Sequence, residues 1–147
     1  MGKIELLLVA EARKKSITLV NDYSPDLPPI MVDAEQIKQV FLNIVMNAIH
    51  AISKEEGAIQ IRTRVVPVAR EDANDPFIMI EVRDSGRGIP KENLERVFDP
   101  FFSTLPEGSG LGMTISHQIV HEHGGFIDLE SELGRGTRVR IFLPLRT

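Results

Sequence analysis

At 147 residues and 42% hydrophobic composition, the chain has the size and apolar content of a single domain with a buried core, and we treat residues 1–147 as one domain. The net charge of −4 gives no general attraction to nucleic acid or to an anionic membrane, so we expect neither as a partner. The chain has no cysteine, which excludes disulfides and thiolate zinc sites, and no apolar run reaches the ~20 residues of a membrane span. These features predict a cytoplasmic location for this domain.

The first third of the chain predicts a helix, a strand and a second helix. Residues 3–15 have a helical pattern, and Ile17 and Leu19 alternate with polar residues as in a strand. Asp33 is the predicted N-cap of the next helix, which runs to about Ser53. Gln36, three residues after the cap, is the expected capping-box partner.

The middle of the chain predicts two strands and a short helix. Residues 58–66 and 77–83 alternate as strands, and the polar, proline-flanked segment 67–76 is expected to connect them as a hairpin loop. Pro90 fits the first turn of a short helix that ends near Phe98.

The last third predicts a helix and two strands. Residues 99–109 show no periodicity, and a helix over 110–123 is expected to end at Gly124 and Gly125. Two strands with a turn between them complete the chain: 126–130, 134–136 for the turn, and 137–143. Helices packed on one face of a mixed, mainly antiparallel sheet would bury these patterns, which predicts an α+β fold.

A stripe of uncharged polar residues interrupts the apolar second helix. Between Val40 and Ile49 the exceptions to apolar character are Asn43 and Asn47, four residues apart. Helical spacing adds three polar residues to the same stripe: Gln36, Gln39 and His50. Burying an amide without partners costs roughly 1–3 kcal/mol, so a ligand, a hydrated metal ion or other side chains must satisfy these groups. The amides are therefore either Mg²⁺ and ligand contacts or an internally hydrogen-bonded pair that fixes helix packing.

Two glycine-bearing segments have the chemistry of a nucleotide site. Asp84 follows an apolar strand, and such a carboxylate can accept a hydrogen bond from an exocyclic amine such as that of adenine. Gly86 and Gly88 permit close ligand approach, although an ordinary Asp-Ser-Gly turn would look the same. The segment 108–113 opens a helix whose N–H groups favour anions, the alternative being a flexible linker with a helix cap. It matches neither a P-loop nor, in its context, a Rossmann fingerprint.

Taken together, these segments resemble the ATP-binding catalytic domain of sensor histidine kinases. That family lies within the superfamily of gyrase, heat-shock chaperones, histidine kinases and mismatch-repair ATPases. The resemblance extends over about residues 30–145, and its closing pattern is His123-Gly124-Gly125 with Gly136-Thr137. The family's N, G1, F and G2 boxes are matched in order by residues 39–48, 84–89, 98–104 and 108–113.

The resemblance implies a two-layer α/β sandwich of the Bergerat type, with ATP held between a helix and a mobile lid at residues 99–109. It implies that Asn47 binds Mg²⁺, that Asn43 acts with it at the phosphate–metal end, and that both are catalytic. It also implies that Asp84 binds the adenine amine and that His50 faces the phosphates or the ribose. The other ATP-binding residues that it implies are Gly86, Gly88, Ile89, Phe101, Phe102, Ser109, Gly110, Leu111, Gly112 and Thr137.

Four positions qualify this assignment. Phe101 and Phe102 are either the hydrophobic anchor of the lid or plain core residues. Ser85 stands where the family most often has Asn, which is tolerable if the backbone turn is what counts. Leu105 stands where many relatives have Lys, so the lid lacks one expected phosphate cation. Three other basic residues are candidates to supply that charge: Arg87, Lys91 and Arg96.

The resemblance also favours phosphate transfer over hydrolysis. Hydrolytic relatives carry Glu at the position of Asn43, and an amide cannot act as a general base. None of the four histidines lies in a phosphoacceptor-like setting: His50, His117, His121 and His123. His121 and His123 end a helix, where a capping role is favoured over a metal site.

We therefore predict the ATP-binding part of a kinase in two-component signal transduction. It presents the γ-phosphate to a histidine on a dimerisation and phosphoacceptor domain, with a response regulator downstream. The alternatives are an autonomous ATPase or chaperone-like protein, a nucleotide-dependent interaction module and a serine-kinase anti-sigma relative.

Overall fold

The computed structural model describes residues 17–22, 32–52, 57–70, 73–96 and 112–145, and the predicted helix at 3–15 lies outside them. In chain order the helices and strands are β1 (Thr18–Asp22), α1 (Ala34–Ala51), β2 (Ala58–Arg70), β3 (Ala73–Asp84), a 3₁₀ helix (Lys91–Arg96), α2 (Gly112–Glu122), β4 (Phe126–Glu132) and β5 (Gly136–Pro144). Among these residues no helix is long and apolar enough to cross a membrane.

The five strands form one mixed sheet in the order β1-β2-β3-β5-β4. β1 runs parallel to β2, while the pairs β2/β3, β3/β5 and β4/β5 are antiparallel. The predicted α+β fold with a mixed, mainly antiparallel sheet is confirmed. The segment after Pro90 forms a 3₁₀ helix.

One hydrophobic core joins both helices to one face of the sheet. Because side chains alternate along a strand, every second residue of β2, β3 and β5 points into this core. The buried core residues from the helices are Val40, Phe41, Ile44, Val45, Ala48, Ile49, Ile119 and Val120. Those from β2, β3 and β5 are Ile59, Ile61, Val82, Val139, Ile141 and Leu143. Burial of each large aliphatic side chain contributes about 1.5–3 kcal/mol, and this energy fixes α1 against the sheet.

The N-terminus of α1 is capped from two sides. As predicted, Asp33 is the N-cap, and its Oδ1 accepts a hydrogen bond from the backbone N of Gln36 at 3.1 Å. The expected return bond from the Gln36 side chain was a wrong prediction, because the Asp33 N–H donates instead to Nε2 of His123 at 3.1 Å. Nδ1 of His123 lies 2.8 Å from the carbonyl oxygen of Ile119, which can only accept, so His123 carries its proton on Nδ1. His123 therefore caps the end of α2 and ties it to the start of α1.

The expected hairpin loop at 67–76 was also wrong, because β2 and β3 remain paired through this segment. Pro67 lies directly opposite Pro76, and neither can donate a backbone hydrogen bond. The two strands tolerate these prolines because neither proline lies opposite a third strand. β1 pairs with β2 only as far as Arg62, and β5 pairs with β3 only from Phe77 onward. Proline disrupts a central strand, whereas no described strand pairs with the outer edges of β2 and β3 at these positions.

The opposite face of the sheet carries a row of alternating charges across all five strands. Direct cross-strand neighbours in this row are Asp22, Arg62, Glu81, Arg140 and Asp128. Arg62 lies 3.7 Å from the Asp22 carboxylate and 3.8 Å from that of Glu81. Arg140 lies 2.5 Å from the Asp128 carboxylate. The fully opposed signs stabilise this strand register.

Ser116 on α2 is a buried polar residue whose burial opposes folding. Its side chain is fully buried on α2, and its hydroxyl finds no hydrogen-bond partner within the described ranges.

We expect Ser116→Ala to raise the free energy of unfolding by about 1 kcal/mol, because it removes an unpaired buried hydroxyl and improves helix propensity. Urea unfolding measures this change. Gln118→Ala, an exposed substitution on the same helix, is the control and is expected to change stability by less. A loss of stability in Ser116→Ala would contradict the expectation.

Candidate functional site

The later part of the polar stripe of α1 lies half-buried and leads toward the turn after β3, whereas Gln36 and Gln39 are exposed. Asn43, Asn47 and His50 are neither fully buried nor exposed. Oδ1 of Asn43 accepts a hydrogen bond from Nε2 of Gln39 at 2.9 Å, so this amide is partly satisfied within its own helix. The side chain of Asn47 makes no hydrogen bond to another described residue. Of the alternative in which the amides are hydrogen-bonded internally, the described residues show the Gln39–Asn43 bond alone.

Ala51 continues the stripe one turn beyond Asn47 and brings it to the glycine turn. The carbonyl oxygen of Ala51 accepts a hydrogen bond from the backbone N of Arg87 at 3.1 Å. A Cβ on Gly86 would lie 2.6 Å from this same carbonyl oxygen, so only glycine permits the approach. The end of α1 and the turn after β3 therefore form one side of the candidate site.

Asp84 is a buried carboxylate at the end of β3. Its side chain is 7% exposed, and Oδ1 accepts a hydrogen bond from the backbone N of Gly86 at 2.8 Å. Burial raises the pKa of Asp84 from 3.8 to about 6, although hydrogen bonds from the backbone N–H groups of Gly86 and Thr137 act in the opposite direction. A carboxylate that has lost this much hydration gains strongly from a new hydrogen-bond donor.

Backbone contacts hold the rest of the turn on both sides. Ser85 exchanges two bonds with Ala58: its N–H donates to the Ala58 carbonyl at 3.1 Å, and its Oγ accepts from the Ala58 N–H at 2.9 Å. The carbonyl oxygen of Arg87 accepts from the Gly134 N–H at 2.7 Å. Gly88 has a φ of 75°, and a Cβ there would collide with the carbonyl oxygen of Glu132. Ser85 therefore has a structural role of its own, which explains how this chain accommodates serine at the position.

Thr137 lies next to Asp84 on the neighbouring strand. Ser131, which the sequence patterns did not single out, lies next to Thr137 on its other side. Thr137 is the direct cross-strand neighbour of Asp84 on β5, and Ser131 is the neighbour of Thr137 on β4. The Ser131 hydroxyl lies 2.8 Å from that of Thr137 and accepts from the Ile89 N–H at 2.7 Å. One signal in the sequence pointed to Ser131: it continues the inward-facing series Ile127 and Leu129 with a polar side chain.

The described site thus brings together the amide stripe, Asp84, the glycine turn and Thr137. Gly112 is the first residue of α2. The predicted lid at 99–109 and five predicted ligand contacts lie outside the described residues: Phe101, Phe102, Ser109, Gly110 and Leu111. Among the described residues, no group of three or more His, Asp or Glu side chains forms a metal cluster.

Residues 32–147 match the protein family described as histidine kinase-, DNA gyrase B-, and HSP90-like ATPase. The sensor kinase CckA of Brucella abortus is 40% identical over 147 residues, covering 94% of this chain and 15% of that protein. The sensory histidine kinase/phosphatase NtrB of Vibrio alginolyticus is 40% identical over 148 residues, covering 99% of this chain and 42% of that protein. The chain therefore spans less than half the length of these curated relatives.

Two solved structures have the same fold as this chain. The catalytic domain of histidine kinase ThkA superposes with a TM-score of 0.78 at 33% identity, over 97% of this chain and 90% of that one. Full-length ShkA in complex with AMPPNP superposes with a TM-score of 0.80 at 26% identity, over 99% of this chain and 29% of that one.

Two glycines of the β4–β5 turn provide a matched test of the close approach to Asp84. Gly134 and Gly136 both have positive φ, 85° and 112°, but a Cβ on Gly134 meets nothing within 4 Å. A Cβ on Gly136 would collide with the Asp84 carbonyl oxygen. We expect Gly134→Ala to cost about 1–2 kcal/mol of backbone strain and Gly136→Ala to cost clearly more. Urea unfolding of both variants measures the difference, and equal losses would show that the contact with Asp84 does not constrain the turn.

The raised pKa of Asp84 predicts a pH dependence of stability. The group contributes stability that is fully present below pH 3.8 and is lost as the pH rises through about 6, because the folded protein holds the proton more tightly than the unfolded chain. A rise of the pKa from 3.8 to about 6 corresponds to a loss on the order of 3 kcal/mol. Unfolding free energies of the parent and of Asp84→Asn between pH 4 and 7 isolate this effect. The parent is expected to lose stability relative to the variant over that range, and parallel curves would contradict the assignment.

Proposed function

Because this chain belongs to the family of histidine kinase-, DNA gyrase B-, and HSP90-like ATPases, we propose that it binds Mg²⁺-ATP and presents the γ-phosphate to a histidine on a separate domain. The family resemblance predicted from the four boxes is confirmed, and the chain is an ATP-binding catalytic domain of the histidine kinase type. The observation that carries the finer proposal is the pairing of a buried acceptor, Asp84, with a neutral amide stripe at Asn43 and Asn47.

In this proposal the two ends of the site recognise the two ends of ATP. The Asp84 carboxylate accepts a hydrogen bond from the adenine amine, which replaces hydration lost on folding. The turn at Gly86, Gly88 and Ile89 lets the base approach the backbone, and His50 faces the ribose or the phosphates. The lid at 99–109 and Gly112 cover the phosphate end.

The amide oxygen of Asn47 fits Mg²⁺ because it is a neutral oxygen ligand that no described residue satisfies. Mg²⁺ usually takes one or two protein ligands and completes its shell with water and phosphate oxygens. When bound, the ion neutralises charge on the phosphates. Asn43, held by Gln39, supports the same end of the site.

Asn43 favours transfer over hydrolysis. An amide has no useful pKa and cannot take a proton from water, so Asn43 cannot serve as a general base. Phosphoryl transfer needs mainly positioning and charge neutralisation, which this arrangement supplies. The nitrogen of a partner's histidine would form a bond to phosphorus as the bond to the ADP oxygen breaks.

The partner is proposed to be a dimerisation and phosphoacceptor domain of the same kinase, with a response regulator downstream, in the cytoplasm. The support is that the chain spans only 15% and 42% of the two relatives, which are named as a sensor kinase and a histidine kinase/phosphatase. The complex of ShkA with AMPPNP supports a nucleotide as the ligand of the fold.

Loss of the Asp84 carboxylate tests the base end. We expect Asp84→Ala to weaken Mg²⁺-ATP binding by roughly 10- to 150-fold, since a charge-assisted hydrogen bond contributes about 1.5–3 kcal/mol. Isothermal titration calorimetry measures the affinity, and circular dichroism checks the fold. Asp128→Ala removes the same charge from the opposite face of the sheet and is expected to bind ATP as the parent does. If Asp84→Ala also binds as the parent does, the base is not at Asp84.

A charge placed at Asn47 tests the metal end and the reaction class. We expect Asn47→Asp to alter the Mg²⁺ dependence of ATP binding and to reduce phosphate transfer, because it adds a negative charge next to the phosphates. Gln118→Glu makes the matching change on the exposed face of α2 and should alter neither.

Transfer is followed with γ-labelled ATP and a phosphoacceptor domain from a similar kinase. Acid-labile label on the acceptor's histidine supports the proposal. Steady phosphate release without a partner would favour an autonomous ATPase, and ATP binding without transfer to any histidine partner would favour an interaction module.

A further inference from the structure

The exposed face of α2 carries two histidines that are one helical turn apart. His117 and His121 are both exposed. Residues four positions apart lie on the same face of a helix, about 6 Å from each other along its axis. Accordingly, the two imidazole rings lie side by side, with an angle of 1° between their planes and 6.4 Å between their centroids. Ile119 and Val120 of the same helix are buried in the core, so the histidine pair is on the side of α2 that faces away from it.

Capping of α2 does not account for His121. The sequence favoured a capping role for both His121 and His123, but in the structure the ring of His123 has this role. Its Nδ1 lies 2.8 Å from the carbonyl oxygen of Ile119, and its Nε2 accepts a hydrogen bond from the Asp33 N–H at 3.1 Å. The ring of His121 lies instead beside that of His117.

The spacing of the two rings suits a single metal ion. Imidazole nitrogen is a ligand for Zn²⁺, Cu²⁺ and Ni²⁺, whereas Mg²⁺ takes oxygen ligands. Zinc binds imidazole nitrogen at about 2.0–2.1 Å, so two rings on one ion hold their nitrogens roughly 3 Å apart. Because both side chains are exposed, rotation about their own bonds can bring one nitrogen of each ring to that separation. Two histidines at this spacing on one helix face are a known source of zinc ligands.

The charges around the pair also favour a cation. His121 lies in the last turn of α2, where the helix dipole and the unpaired carbonyl groups stabilise positive charge. The helix contains neither Lys nor Arg, and Glu122 adds a negative charge directly after His121. Glu122 is held on this surface by Gln118, whose Nε2 lies 3.3 Å from the Glu122 carboxylate. A divalent ion at the pair therefore meets no cationic side chain from its own helix.

We propose that His117 and His121 bind a divalent transition metal ion of the zinc type, which clamps successive turns of α2. The two imidazole nitrogens are the protein ligands. Water completes the coordination shell, since the described residues form no group of three or more potential ligands. The site is distinct from the one proposed for Mg²⁺ at Asn47, because it lies on another helix and offers nitrogen instead of oxygen. Zinc binding here does not depend on whether the chain binds ATP.

The experiment is a calorimetric titration of the chain with Zn²⁺, in the parent and in three variants. Two of these, His117→Gln and His121→Gln, each remove one ring. The third combines Gln118→His with His121→Gln, which keeps the composition and the net charge but places the two histidines next to each other. Adjacent residues on a helix do not face each other, so this exchanged pair cannot share an ion. We expect all three variants to bind Zn²⁺ at least roughly tenfold more weakly, because the second linked ligand is lost. Excess Mg²⁺ is expected not to displace Zn²⁺ from the parent.

Urea unfolding gives an independent readout of the clamp. At free Zn²⁺ about 100 times its Kd, the folding equilibrium constant of the parent is expected to rise about 100-fold, and that of the exchanged variant clearly less. Circular dichroism checks that these exposed substitutions leave the fold intact. A parent chain that binds no Zn²⁺, or any of the three variants with the affinity of the parent, would overturn the proposal. Displacement of Zn²⁺ by Mg²⁺, or equal stabilisation of the parent and the exchanged variant, would do the same.

Discussion

Backbone contact around the turn after β3 is the constraint on which the site depends. The turn touches the end of α1 through Arg87 and Ala51, and it touches the β4–β5 turn through Arg87 and Gly134. Main-chain atoms approach so closely at Gly86 and Gly88 that no side chain fits between them. Because these contacts involve the backbone, they place the Asp84 carboxylate by means of the fold itself.

The burial of Asp84 shows how the fold prepares a binding group at a cost to its own stability. A carboxylate in contact with water gains little from a further donor, since water already satisfies it. Here most of that hydration is gone, and two backbone N–H groups replace only part of it. A ligand amine would therefore complete a set of hydrogen bonds that folding leaves incomplete, while the unfavourable burial is maintained by the hydrophobic contacts of α1 and the sheet.

Much of this arrangement could be predicted from sequence, because it depends on local periodicity and on residues with special backbone roles. The N-cap at Asp33, the amide stripe of α1 and the glycine turn all have signals within a few residues of one another. The long β2–β3 ribbon could not be predicted locally, since whether Pro67 and Pro76 are tolerated depends on where the neighbouring strands end. Nor could the contact of His123 with Asp33, which joins residues 90 positions apart. Ser131 was missed for the same reason, because its partners come from two other segments of the chain.

The charged face of the sheet has a consequence for how copies of this domain meet. β1 and β4 are the two edges of the described sheet, and both end the charge row with an acid, Asp22 on one side and Asp128 on the other. Glu130 adds a second acid to the β4 edge. If two molecules joined edge to edge to extend the sheet, the acids of the two edges would be brought together. The electrostatic repulsion opposes such growth, so the pattern that fixes strand register within the molecule also protects it from aggregation through its sheet edges.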